Sequence, residues 1–504
     1  MKLIDKYNIS GCKAEIKVEI IRDEEALATE YIAAFPKVGE GTQLTLNEIK
    51  IEILSKTKVP VEKMADSKFA QQVKKDFDII AEELLKRKLP IQDRGEIDVL
   101  KEILLNEMLG LGNIEYVLLD DNVEEIVINS AKEPAWIYHK KHGWLKSNLN
   151  IDSEKDIENI ASIIARRSGK QINVLAPLLD AHLPSGDRAN STLSPISSRG
   201  NTITIRRFRR KPWTVTEIID FESITSEAMA LIWMAFEYEL NILVSGGTAS
   251  GKTSFLNACA SFIRPNQRVI TIEDTRELTL PSFLHWVPLT TRLSNTEGKG
   301  EITMLDLLVN SLRMRPDRII VGEVRRQHEA EVMFEAMNTG HSVYTTFHAD
   351  TAEETIRRFS NPPISLPQAM LDSIALDIVL FRNRRTGRRA VYQIAEIITE
   401  DRSEEKTARA NVIFRHDSIK NKLVPQKESI KFFDEISMHT GLTQREIEEE
   451  LKEKQKILEW LVENKVFDLE ELSLIFAKYY FDKEKVISAA KSGKNPSTLT
   501  KKKE

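Results

Sequence analysis

Residues 240–253 read LNILVSGGTASGKT, an apolar run that ends in a loop matching G-x-x-x-x-G-K-[ST] over Gly246–Thr253. No other stretch limits the fold as much. Glycines let backbone N–H groups curl round a phosphate, and a helix opening at the loop's end adds its positive dipole end. Gly246, Gly247, Thr248, Ala249, Ser250 and Gly251 are the expected cradle. Lys252 reaches the β- and γ-phosphates as a point charge, and the Thr253 hydroxyl is placed to ligate Mg²⁺. The plainer alternative is a glycine-rich turn into a helix with no ligand. A strand before and a helix after favour a nucleoside triphosphate.

The 504 residues are too many for one core and suggest about three domains. A hydrophobic share of 41% and a charged share of 30% fit a globular protein. The net charge of −5 gives no global argument for nucleic acid as a partner. Cys12 and Cys259 can assemble neither a disulfide framework nor a four-cysteine zinc site, which points to a reducing compartment. The longest apolar run, 228–236, is about half what a bilayer span needs, and MKLIDKYNIS lacks a signal peptide's apolar core. The expected place is the cytoplasm, with any membrane attachment peripheral.

Four regions are expected: an extension over 1–100 suited to partner docking, an α+β domain over 101–213, an α/β domain over 214–400 and a charged helical extension over 401–504. In 68–87, Phe69, Val73, Phe77, Ile80 and Leu84 recur at helical spacing. EEIVINS and AWIYHKKHGWL carry strand signals, with HKKHG (139–143) as a turn. From 217 to 400 strand and helix patterns alternate in the parallel-sheet manner, with strands at 240–246, 268–274, 286–291, 318–324 and 342–349 and a hairpin over 378–397 turning at Thr386-Gly387. Thr443 and Glu446 form a capping box opening a helix with Ile447, Leu451, Leu458 and Leu461 inward. A second helix over 469–480 follows, and 495–504 is a solvated tail.

Hydrolysis needs a carboxylate near the γ-phosphate. Glu273, Asp274 and Glu277 close one strand and Glu323 another, at the carboxyl edges where open parallel sheets hold ligands. His348 ends the strand SVYTTFHA at that same edge, and His341 sits just before it. His139 and His142 share a turn without further metal ligands in view, which reads as a solvated turn. Cys259 reads as a small core residue.

The motifs GGTASGKT, ITIEDTREL, LRMRPDRIIVGEVR and TGHSVYTTFHADTAEETIRRF, in that order, resemble the type II/type IV secretion ATPases, with their Walker A motif, aspartate box, atypical Walker B motif and histidine box. LGNIEYVLLDDNVEEIVIN extends the likeness to about 100–400, and NPPISLPQAMLDSIALDIVL with the extension after 400 is most similar to the archaeal branch. The resemblance implies fold class α/β: a RecA-like P-loop ATPase domain with a parallel-type sheet, an α+β domain before it and a small helical extension after it.

It further implies a homo-hexamer holding ATP between two domains, served by an integral membrane platform protein of a pilus, archaellum or secretion system. Glu323 would be catalytic base or Mg²⁺-water ligand, Glu273 would polarise water, and His348 would sense the γ-phosphate. Of Arg188, Arg199, Arg206 and Arg207, we carry Arg188 and Arg206 forward as the arginines serving the phosphates. Val343 and Tyr344 follow His341 where many relatives have small hydroxyl residues, and Thr346-Phe347 precede His348 where some have Ser-Thr.

Neither nucleic acid nor a small molecule beyond ATP is expected as a partner. The rival readings are a nucleic-acid motor built on the basic cluster Arg206, Arg207, Arg209, Arg210 and Lys211, and an ATP-binding subunit without turnover. Phe208 and Trp213 are too few aromatics there for a stacking platform.

Overall fold

The computed structural model describes residues 2–23, 28–56, 67–91, 93–183, 185–208, 211–292, 294, 299–402 and 405–500. The chain divides into two compact units, Met1–Arg209 and Arg210–Glu504.

Unit one is built on nine strands: β1 (Lys2–Ile9), β2 (Ile16–Asp23), β3 (Ala28–Ala33), β4 (Val123–Ile128), β5 (Trp136–His139), β6 (Gly143–Ser147), β7 (Leu178–His182), β8 (Arg188–Thr192) and β9 (Thr202–Arg206). They lie in the order β1-β2-β3-β6-β5-β4-β9-β8-β7. All neighbours run antiparallel except β3 and β6, which pair in parallel. Strands β1 to β3 fall where the sequence pattern shows only an extension. The exposed positions of β1 mix Leu3 and Ile4 with Lys2, Lys6 and Asn8, so the alternation that signals a strand is faint.

The helices Glu40–Lys56, Ser67–Lys88 and Arg94–Met108 bury a core of their own that includes Leu46, Ile53, Val73, Phe77, Leu84 and Leu104. Ile80 is half-buried beside it, and the side chain of Phe69 lies outside the described residues.

Unit two carries the second sheet: β10 (Ile242–Gly246), β11 (Arg268–Glu273), β12 (His285–Thr290), β13 (Arg318–Val321), β14 (Ser342–Phe347), β15 (Leu376–Arg382), β16 (Arg389–Arg402), β17 (Glu405–Asp417) and β18 (Lys422–Pro425). Their order is β12-β11-β13-β14-β10-β15-β16-β17-β18. Strands β12 through β15 are parallel, and β16 onward antiparallel. Helices cover both faces of the parallel part, so β10, β13 and β14 are buried at every position, with the polar Ser245, Arg318, Ser342, Thr345 and Thr346 buried among their apolar residues. The phosphate-loop strand β10 and the strand leading to Glu323, β13, are not neighbours; β14 runs between them. This ordering is the RecA-like arrangement of an α/β fold.

The sheet continues past residue 400, because β16 runs to Arg402 and pairs with β17. The helix Gln444–Glu463 opens at Thr443 with its capping box intact, and Ile447, Leu458 and Leu461 are buried in one core with Trp233, Phe262 and Leu256. The helix Leu469–Phe481 joins the same core through Leu472, Ile475 and Phe476. Residues expected as a free tail are partly packed: Leu499 is buried in the short helix Ser497–Thr500, while 501–504 lie outside the described residues. No helix among the described residues is long and apolar enough to cross a membrane.

Candidate functional site

The phosphate loop takes its shape from its neighbours as much as from its glycines. Gly246 has φ +149°, and a Cβ there would lie 2.4 Å from the Leu380 carbonyl oxygen of β15. Gly251, at φ +96°, stands immediately before the helix Lys252–Cys259. Ala249 holds φ +60°, a conformation L-residues avoid, and the Arg389 Nε donates to its carbonyl at 3.0 Å. Ser250 Oγ donates to the Gly247 carbonyl at 2.9 Å, which closes the turn. Thr253 is the second residue of the helix.

Lys252 is 8% exposed, and Nζ donates to the carbonyls of Gly246 and Gly247 at 3.0 and 3.1 Å. Its third neighbour is His348 Nδ1 at 3.4 Å. Among the described residues no carboxylate lies within ion-pair distance of this ammonium. Burial pulls its pKa down, against the more distant charges of Glu323, Asp350 and Glu277. An ammonium kept charged in a half-dry cradle with only neutral partners is suited to a polyphosphate. The tightly folded loop and this lysine therefore fit the triphosphate of ATP.

The acids stand where their strands end. Glu273 closes β11 at 2% exposure, and its Oε1 accepts from the backbone N–H of Glu277 and Leu278 at 2.8 and 2.9 Å. Burial outweighs those two bonds and pushes the carboxyl up to about 7. Its Oε2 is buried without a protein partner. Glu323 follows β13 by two residues. Gly322 N–H donates to the Ile272 carbonyl at 2.8 Å, setting the ends of β11 and β13 side by side. Arg325 Nε donates to Glu323 Oε2 at 2.7 Å, and the same guanidinium reaches Asp274 at 3.2 Å.

His348 follows the last residue of β14, and its ring bridges the two halves of the site. Nε2 lies 2.6 Å from Glu323 Oε1, a close polar contact off the line of an ideal hydrogen bond, while Nδ1 faces Lys252. Burial and the Lys252 charge lower the imidazole's pKa, with Glu323 opposing. These forces assign a neutral ring that carries its proton on Nε2 and offers Nδ1 to the ammonium. Thr346 Oγ1 donates to the Gly322 carbonyl at 2.6 Å, so β14 is tied to the Glu323 turn. The departures in the histidine motif are core residues: Tyr344 stacks on Phe236 and lies beside the buried Arg318, and Phe347 stacks on Phe359.

Beyond the loop opens a cavity of about 880 Å³ lined by Gly247, Thr248, His348, Asp350, Arg358 and Arg384 among others. Arg358 donates to the His348 carbonyl. Asp350 and Arg358 belong to the motif around His348 but carry no spacing signal of their own. Asp377 on β15 is fully buried near Ser245 and Thr355, and burial lifts its carboxyl to about 6. Sequence pattern alone gives an aspartate inside an apolar run no such place.

In unit one, Arg188 and Arg206 are register partners on β8 and β9, and Arg188 makes a two-pronged pair with Asp180 at 2.8 and 3.1 Å. Arg199 is exposed in the turn before β9. Arg207 is taken up internally, on the carbonyls of Asp120 and Val123. Arg209 and Arg210 of the basic cluster lie outside the described residues. His139 departs from the solvated-turn expectation: it is 2% exposed, and its Nδ1 accepts from the N–H groups of Lys141 and His142. The inward side of β5 includes position 139, so the turn's amides cap the ring instead of water.

The sequence matches the profile of the Type II/IV secretion system protein family over residues 118–410. An uncharacterised protein of Methanocaldococcus jannaschii is 32% identical over 398 residues, covering 76% of this chain and 70% of that protein. The type IV secretion system protein PtlH of Bordetella pertussis is 29% identical, covering 56% of this chain and 91% of that one. Among solved structures, the ATPase DotB of Legionella pneumophila aligns at 20% identity and TM-score 0.41, covering 75% of this chain and 94% of DotB.

Proposed function

The chain belongs to the type II/IV secretion system protein family, and from that premise we propose that it hydrolyses ATP to drive a membrane-associated machine. One observation carries the reading: Lys252, His348 and Glu323 stand in line at the carboxyl edge of parallel strands, beside the buried carboxyl of Glu273. Lys252 takes the β- and γ-phosphates. Glu323 accepts the attacking water's proton or holds a metal-bound water, and Glu273, once ionised, polarises that water. His348 reads the presence of the γ-phosphate through its contacts to Lys252 and Glu323. Arg188 and Arg206 serve the phosphates, where guanidinium charge offsets the charge building on the transferred group. Thr253, and through water Glu323, would hold Mg²⁺, which would supply further neutralisation of that charge.

The finer reading is a ring of six copies, peripheral to the cytoplasmic face of the membrane, powering a type IV pilus- or archaellum-like filament or protein export through an integral membrane platform protein. Loss of the γ-phosphate removes charge-assisted bonds and so permits domain motion. Glu323→Gln tests the chemistry. ATP binding, followed with a fluorescent analogue, is expected to persist while phosphate release falls by about 10²–10⁴-fold. Turnover near the wild-type rate would remove Glu323 from the mechanism.

A further inference from the structure

The C-terminal helices have no part in the chemistry above, yet one of them touches both halves of the site's support. The helix Leu469–Phe481 binds at each end. Near its start, Glu470 accepts from Ser282 N–H at 2.8 Å and from Ser282 Oγ at 3.1 Å. Near its end, Tyr480 OH donates to the Phe262 carbonyl at 2.6 Å and accepts from Trp233 Nε1 at 2.9 Å. Between them Phe476 packs on Phe262 and Trp233, with ring centroids 4.9 and 4.7 Å apart.

Those two attachment points bear on the site. Phe262 ends the 3₁₀ turn Ala260–Phe262, which directly continues the helix that begins at Lys252. Ser282 belongs to the segment after β11 that carries the Glu277 and Leu278 amides holding Glu273. That segment is also pinned to the phosphate-loop helix, because Thr279 N–H donates to Asn257 Oδ1 at 2.9 Å. A single helix thus spans the far end of the Lys252 helix and the loop that aims Glu273.

Building on the ATPase reading, we infer that the helix Leu469–Phe481 is a strut, with Glu470 and Tyr480 as positioning residues that fix the Glu273 carboxylate relative to Lys252. Neither touches the nucleotide. Their loss therefore leaves ATP binding intact and disturbs only the placement of the water-polarising group, an effect confined to the transition state.

The experiment compares the full-length wild type with Glu470→Ala, Glu470→Gln and Tyr480→Phe. The expected result is kcat lower by about tenfold for Glu470→Ala and Tyr480→Phe, with KM for ATP unchanged, the scale of one lost hydrogen bond. Glu470→Gln, which keeps an acceptor for Ser282, is expected to recover most of the rate. Hydrogen exchange of the Glu277 and Leu278 amides is expected to quicken in the two impaired variants while the amides of β14 keep the wild-type rate. Glu470 is exposed, so its variants retain the fold if the half-buried Tyr480→Phe does not. Unchanged kcat and unchanged exchange at 277–278 in folded Glu470→Ala overturn the inference, and so does an equal loss in Glu470→Gln. An inactive wild type would instead overturn the ATPase reading on which the strut rests.

Discussion

Lys252 and Lys454 are both buried lysines of unit two, and their surroundings are opposites. Lys454 is fully buried on the helix Gln444–Glu463, 2.7 Å from Glu237 Oε2, bonded to Glu450 and, at 3.1 Å, to Tyr479 OH. The Tyr479 and Trp233 rings face the same ammonium at 4.8 and 5.2 Å. Every need of that charge is met by the protein. Lys252 has carbonyls and an imidazole, and its counter-charge is left to a ligand. A buried cation with its anions built in is architecture; one without them marks where an anion is to come.

Removing each lysine separates the two cases. Lys252→Ala should cut phosphate release by at least about 10²-fold, the scale of losing one preorganised donor, while the urea midpoint without nucleotide holds or rises. A marked fall in that midpoint would mean that Lys252 is structural and the contrast false. Lys454→Ala should do the reverse. Removing the buried partner that Glu237 and Glu450 share, and leaving Arg264 and Lys483 as their remaining cations, costs up to roughly 3 kcal/mol of stability, readable in equilibrium unfolding of unit two. Lys454→Ala at wild-type stability would show that water or Lys483 takes over.

The smallest effect concerns an acid treated as Lys252 is. Burial raises Glu273 to about 7 from its ordinary 4.5, with Arg276 and Glu277 as the nearby charges. A raised acid is protonated in the fold, so its contribution to stability is full below about 4.5 and is lost as pH climbs through about 7. The rate moves the other way, since only the ionised carboxylate polarises water. kcat should rise through a midpoint near pH 7, and Glu273→Gln should erase that limb. A limb that survives the substitution belongs to another group.

The same contrast governs what sequence pattern reveals. The phosphate loop, β11, β13 and β14 are legible because a parallel sheet covered on both faces favours short runs rich in Val, Ile, Thr and aromatic residues, and the acids at their ends then fall on one edge. The Thr443 capping box is legible because a cap is local, complete within four residues. The Lys454 pair is not, since Glu237 lies over two hundred residues away and a lysine among EELKEKQK reads as solvated. Strand β17 is hidden likewise. EKTARANVIFRHD is charged and polar along much of its length, and only pairing with β16 makes it part of the sheet. Asp377 reaches Ser245 at the end of β10, and Arg389 the loop itself, from strands whose neighbours no spacing rule supplies.

The Leu380 carbonyl, set where a methyl group at position 246 would have to go, changes what the first glycine of this signature can testify to. That glycine is demanded by the adjoining strand whether or not a nucleotide is ever held. A descendant that had abandoned catalysis and become a scaffold would still keep it. Decay of the motif in such a pseudoenzyme should begin at the lysine and leave the glycine standing, so the lysine, and not the glycine, dates the loss of the engine.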